Sequence, residues 1–296
     1  MPVLEIRGLS KKYGRITALS NLDLTIEAGN VYGLLGPNGS GKTTTLGIIL
    51  GILAKDSGSY VWFDGHYGDK HRMKIGSILE TPNFYPYLNA DENLEIVRHI
   101  KKAPGTDFGH LLELVNLKER RKSKFSTYSL GMKQRLAIAA TLIGEPEVLI
   151  FDEPTNGLDP QGIAEVRDIL KGIASTGKTV LMASHILDEV EKICTHVAII
   201  KKGKLLASGS VGSIINNDIT LEIACEDMES LTSLLSGLPM VKKMEIRDRI
   251  IEASLAQDAD YSQINRLAFE KGLVLTHLVA RKRKLETEFL EITAKA

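Results

Sequence analysis

One nine-residue stretch limits the possible folds more than any other part of the chain. Residues 36–44 read GPNGSGKTT, directly after the apolar run VYGLL of residues 31–35 and directly before TLGIILGIL. The spacing is G-x-x-x-x-G-K-[ST], and the pattern works only where a buried strand turns into a helix. Glycines at 36, 39 and 41 permit positive φ and let backbone N–H groups close around an anion. Gly36, Pro37, Asn38, Gly39, Ser40, Gly41, Lys42, Thr43 and Thr44 are therefore candidate phosphate-binding residues. Lys42 is expected to reach the terminal phosphates and the Thr43 hydroxyl to ligate Mg²⁺.

The neighbouring patterns predict an α/β fold. LDLTIE, residues 22–27, alternates apolar and polar as a half-exposed antiparallel strand does. GSYVWFDGH and MKIGSILE read as further strands. Residues 87–143 read as a helical subdomain, opened by a capping pair of Asn89 and Glu92. Alternation then resumes: strand EVLIFDEP, helix IAEVRDILKGIAS, strand TVLMASH, helix LDEVEKI, strand HVAIIKKGKL. That order predicts a parallel sheet covered by helices. Beyond Asn216 the order becomes β-α-β-β-α-β, the ferredoxin-like plan, followed by a terminal amphipathic helix. Residues 1–216 and 217–296 are thus expected to be separate domains.

The phosphate loop is shared by many enzyme classes, so the second half must discriminate. VLIFDEP ends an apolar strand in two acids, and burying either carboxylate unpaired is costly. Asp152 is placed to hold Mg²⁺, and Glu153 to polarise an attacking water. His185 ends the next strand, within reach of the same phosphate edge. No N-K-x-D element is present, which disfavours guanine specificity.

Composition excludes some classes. Lys+Arg and Asp+Glu are both 37 among 296 residues, so no global charge favours nucleic acid. Cys194 and Cys225 lack metal-ligand spacing, and no window is long and apolar enough to span a bilayer. A cytoplasmic protein is expected, reaching a membrane only through a partner. The basic stretch ARKRK, residues 280–284, reads better as a solvated strand end than as a lipid contact.

YSLGMKQR, residues 128–135, opens a second helix with Ser129 and Gly131 at its N-terminus, where free N–H groups attract an anion. Taken in order, GPNGSGKTT, YSLGMKQR, FDEPTNGLDP and ASH resemble the nucleotide-binding subunit of ATP-binding cassette (ABC) transporters. The resemblance covers about two-thirds of the chain. It implies a P-loop NTPase cassette with a mixed sheet core, an antiparallel β subdomain and a helical subdomain, here extended by the small C-terminal α+β domain. It also implies ATP and Mg²⁺ as cofactors, with Tyr13 stacking on adenine.

Two copies would then pack head to tail, so that Ser129, Gly131 and the Asp159 loop of one face ATP held by the other. An integral membrane permease subunit would be the second partner, and the location peripheral, on the inner face of the membrane. The chain departs from the pattern twice. Leu130 and Met132 replace a glycine and a glutamine of the usual signature, and Glu80, a candidate metal ligand, stands where glutamine is usual. ETPNFYPYLNADENLE also resembles the corresponding loop of bacitracin- and lantibiotic-type exporters, with Phe84, Tyr85 and Tyr87 offered to a coupling helix. Two rival readings remain: a cassette acting on ribosomes or DNA, and an ATPase switch whose tail domain senses a ligand.

Overall fold

A computed structural model of the chain describes residues 1–215, 219–255, 259–282 and 284–294. The expected boundary at Asn216 and Arg283 of the basic stretch lie outside them. The chain divides into two compact units, Met1–Val211 together with Ile292–Ala296, and Gly212–Glu291.

The first unit begins with β1 (Pro2–Tyr13) and β2 (Ile16–Glu27), an antiparallel hairpin, followed by β3 (Val31–Leu35) and α1 (Lys42–Ile49). β4 (Ser57–Trp62) pairs with β1 to give a three-stranded antiparallel sheet of order β2-β1-β4. β5 (Ile75–Ile78) precedes helices α2 (Ala90–Lys101), α3 (Phe108–Leu114) and α4 (Leu130–Thr141). Then come β6 (Val148–Asp152), α5 (Pro160–Ser175), β7 (Thr179–Ser184), α6 (Leu187–Ile193), β8 (His196–Lys201) and β9 (Lys204–Ser210); one turn of helix, α7 (Val211–Ile214), starts at the last residue of this stretch and continues into the second unit.

The six-stranded sheet runs β5-β6-β7-β3-β8-β9, parallel except for β9. Every residue of β3, β6 and β7 is buried. Their near-continuous apolar runs follow from having both faces covered. Leu9, Leu19, Leu22 and Ile26 of the antiparallel sheet share one core with Leu34 of β3 and Ile48 and Ile49 of α1. Trp62 closes it: its indole N–H donates to the Ile49 carbonyl at 2.8 Å, so the buried ring keeps its polar group satisfied.

The structure corrects two readings. HVAIIKKGKL is a hairpin rather than one strand, because Lys202 and Gly203 both take positive φ and reverse the chain. After Trp62, GSYVWFDGH leaves the sheet for 3-10 turns, with Phe63, Asp64 and Gly65 all at positive φ.

The capping pair forms as expected. Asn89 Oδ1 accepts from Glu92 N at 3.0 Å, and Glu92 Oε2 accepts from Asn89 N at 2.8 Å. Asn89→Ala is expected to lower stability by about 1 kcal/mol and the thermal midpoint by roughly 2–4 °C, measured by calorimetry, with ATP affinity unchanged.

The second unit contains β10 (Ile219–Cys225), α8 (Met228–Ser236), β11 (Val241–Arg247), β12 (Ile250–Leu255), α9 (Ser262–Glu270), β13 (Leu275–Lys282) and the start of α10 (Leu285–Ala294). Its sheet order β11-β12-β10-β13, antiparallel throughout, is the ferredoxin-like arrangement. Leu221, Ile223, Ile251, Ala253 and Leu255 alternate inward onto Leu231, Leu235 and Ile264.

Candidate nucleotide site

Parallel pairing brings the C-terminal ends of β5, β6, β7 and β3 to one edge of the sheet, where ligands of open α/β folds bind. The loop after β3 is held there by close approach. A Cβ on Gly36 would lie 2.3 Å from the Ile200 carbonyl, and Gly41 sits at φ 111° with the Ala18 carbonyl 2.6 Å from where its Cβ would be. Neither position accepts a side chain. Pro37, Asn38 and Gly39 form an exposed lip, whereas Ser40 is buried with its hydroxyl unpartnered. Thr43 and Thr44 follow in the first turn of α1.

Lys42 folds back over this lip. Its Nζ donates to the Gly36 carbonyl at 2.7 Å and to Pro37 at 3.4 Å, and lies 3.9 Å from Glu153 Oε1. Burial depresses its pKa, partly opposed by the charges of Glu153 and Asp152. Asp152 shows the opposite imbalance. Burial raises its pKa, opposed by a hydrogen bond from Thr43, while Glu153 and Glu80 add negative field. Because the folded value lies above the unfolded one, this group favours the fold below the unfolded pKa. That contribution is lost as pH rises through the folded pKa. Ionised Asp152 is thus a cost to the protein alone at neutral pH, and its Oδ1 has no hydrogen-bond partner.

The site is short of negative charge at Lys42 and of positive charge at Asp152. A hard cation carried on phosphate oxygens corrects both, and the oxygen donors of Thr43 and Asp152 suit Mg²⁺. Among the described residues no three His, Cys, Asp or Glu side chains converge on a point a cation would occupy. Glu80, exposed at the end of β5 and at φ 63°, acts on Asp152 through its field.

Glu153 and His185 meet because β6 and β7 are in register, with Asp152 opposite Ala183. The Glu153 N–H donates to the Ala183 carbonyl at 2.9 Å, and the His185 Nδ1 lies 2.8 Å from Glu153 Oε2. Glu153 occupies φ 50°, a left-handed conformation that costs on the order of 1–3 kcal/mol for a non-glycine residue and is concentrated at functional sites.

Tyr13 ends β1 and is 45% exposed. It pairs with Ile16 across the hairpin whose Ala18 and Leu19 touch Gly41. The hairpin that carries Tyr13 thus also contacts the phosphate loop. Lys11 and Asp56, which touch or support Tyr13, carried no signal in the sequence.

Ser129, Gly131 and Asp159 lie elsewhere. They line a groove with Leu130, Leu158 and Gly162, where the N-termini of α4 and α5 meet, and no phosphate-loop residue lines it. Each helix is capped from within: Ser129 Oγ accepts from Met132 N at 3.2 Å, and Asp159 Oδ1 from Gly162 N at 3.0 Å. Tyr128 anchors the start of α4, buried with its hydroxyl donating to the Arg120 carbonyl at 2.8 Å. Leu130 lies against bare Gly157, where an added Cβ would sit 3.3 Å from its Cδ2. Of the three aromatics, Phe84 is half-buried, edge-on to Phe125 at 5.3 Å. Tyr85 and Tyr87 are exposed.

The family profile described as ABC transporter matches residues 19–156. The chain is 34% identical over 300 residues to the bacitracin transport ATP-binding protein BcrA of Enterococcus faecalis, covering 98% of this chain and 96% of the relative. It belongs to the ABC transporter family. The cassette is also 40% identical over 226 residues to the lantibiotic transport ATP-binding protein SrtF of Streptococcus pyogenes, covering 74% of this chain and 99% of that one. A solved ATP-binding cassette in a dimeric post-hydrolysis state, bound to ADP and Pi, superposes with a TM-score of 0.62 at 27% identity, covering 70% of this chain and 98% of that one. This chain is therefore the ATP-binding, ATP-hydrolysing subunit of an ABC transporter. No helix among the described residues is long and apolar enough to cross a membrane.

Proposed function

We propose that this cassette powers export of a peptide antibiotic or a related amphipathic compound, as an ATP-sandwiched homodimer bound to a separate membrane subunit at the inner face of the membrane. The observation that carries the reading is the presence of two anion-seeking sites on one chain that share no residue. Lys42 of the phosphate loop lies with Asp152 and Glu153, whereas the groove of Ser129 and Gly131 has two helix N-termini, with Arg135, Asp159 and Glu165 also in its lining. Each makes sense as half of a site completed by a second copy.

Within that composite site, Gly36–Thr44 wraps the phosphates and Lys42 leaves its carbonyl partners for them. Thr43 and Asp152 would hold Mg²⁺, with Glu80 lending further negative charge from just beyond β5. Bound Mg²⁺ would neutralise charge on the phosphate oxygens. Glu153 takes a proton from the attacking water, and His185, already at hydrogen-bond distance from it, orients that carboxylate and faces the terminal phosphate. Tyr13 stacks on adenine. The partner's Ser129 and Gly131 N–H groups would close on the γ-phosphate, so that hydrolysis removes the charge bridging the two copies. The groove formed by Ile78, Leu79, Phe84, Val97 and Ala137 would receive the membrane subunit, with Tyr85 and Tyr87 beside it.

The test is co-expression with a candidate multi-spanning partner in an antibiotic-sensitive host. The cassette is expected to co-purify with that partner from detergent-solubilised membranes and to raise bacitracin or lantibiotic tolerance several-fold. Co-purification without any change in tolerance would remove the export assignment. A cassette found only in the soluble fraction would remove the membrane partner as well.

A further inference from the structure

Tyr13 is held by a charge relay that reaches across the antiparallel sheet. Lys11, two residues earlier on the same face of β1, places its ammonium 5.4 Å from the Tyr13 ring centroid. That ammonium is itself fixed, 2.9 Å from Asp56 Oδ1, and the Lys11 side chain is only 15% exposed. Asp56 is anchored in turn: its Oδ2 accepts from Lys12 N at 2.7 Å, and its own N–H donates to the Ser10 carbonyl at 3.0 Å. These contacts depend on β1 pairing with β4, where Ser10 lies opposite Ser57. Opposite Lys11 on the other strand is Leu19, whose side chain touches Gly41 of the phosphate loop.

We propose that Lys11 and Asp56 are positioning residues for the nucleotide base: Lys11 covers one face of the Tyr13 ring, Asp56 pins Lys11, and the ring is thereby presented to adenine by its other face. A tyrosine at a hairpin tip otherwise samples several rotamers, and ordering it on binding would weaken the stack. The lysine ammonium removes that freedom beforehand and is attracted to the ring's electron-rich face. The inference rests on Tyr13 being the adenine platform, and the experiment separates the two claims.

Binding of ATP and of inorganic tripolyphosphate, each with Mg²⁺, is measured calorimetrically on the full chain. Tripolyphosphate reports on the phosphate loop without a base. Lys11→Met is expected to weaken ATP by roughly three- to five-fold, the size of an exposed cation–π contact, with tripolyphosphate unchanged. Asp56→Asn should give a smaller loss of the same selective kind, and Lys11→Arg should stay within about two-fold of wild type, since guanidinium serves equally over a ring. In a Tyr13→Ala background, Lys11→Met should have no further effect on ATP. Equal weakening of both ligands by Lys11→Met, or of neither, overturns the relay. If Tyr13→Ala lowers ATP affinity selectively while Lys11→Met does not, the platform stands and the relay falls. If Tyr13→Ala leaves the ratio of the two affinities unchanged, the platform itself is wrong and the relay falls with it.

Discussion

Glu153→Gln is expected to lower ATP turnover by about two to four orders of magnitude, the usual contribution of a positioned general base. ATP binding should remain within a few-fold of wild type. The substitution keeps the shape of the side chain and its carbonyl oxygen, which still accepts from His185 at the position where Oε2 now lies 2.8 Å away. What it removes is the proton acceptor. Lys42, the loop amides, Thr43 and Asp152 are untouched, so the nucleotide still binds and its terminal phosphate persists. Light scattering with saturating ATP and Mg²⁺ should then show a stable dimer, whereas wild type cycles back to monomer. Turnover at the wild-type rate would remove Glu153 from its role. A variant that binds ATP but stays monomeric would refute the composite site.

Lys42→Met should weaken ATP binding by one to two orders of magnitude, the range expected for losing charge-assisted hydrogen bonds worth roughly 1.5–3 kcal/mol. The variant should stay folded. Methionine matches the length of the buried stem, and the ammonium it replaces is disfavoured by burial. Its loss does remove a countercharge from Asp152 and Glu153, so the thermal midpoint has two opposing contributions and is expected to move little. Calorimetric titration with ATP and with adenosine separates the causes. Only the phosphate-bearing ligand should lose affinity, and an equal loss of both would mean that the loop had collapsed.

Much of this site was legible because its parts are local. The phosphate loop, the two acids ending β6 and the histidine ending β7 each sit where a continuous apolar run stops, and runs buried on both faces are easily seen. Their convergence follows from parallel strand order alone. The hairpin after His196 was harder to see, since KKGK looks like the polar tail of a strand until Lys202 adopts a positive φ. The turns after Trp62 were only half announced: Asp64-Gly65 is a turn pair, but phenylalanine at positive φ is not foreshadowed by its residue type. The Lys11–Asp56 pair is non-local, set by strand register across 45 residues, and nothing in either segment announces the other. Leu130 was read as a lost glycine, whereas the structure shows where its side chain goes.

That destination carries a mechanical consequence. Leu130, itself 46% exposed, leans one edge on Gly157, where an added Cβ would sit 3.3 Å from its Cδ2. The first residue of α4 and the loop preceding α5 are thereby in contact. A side chain added at 157, where φ is 74°, would have to be absorbed by both segments together.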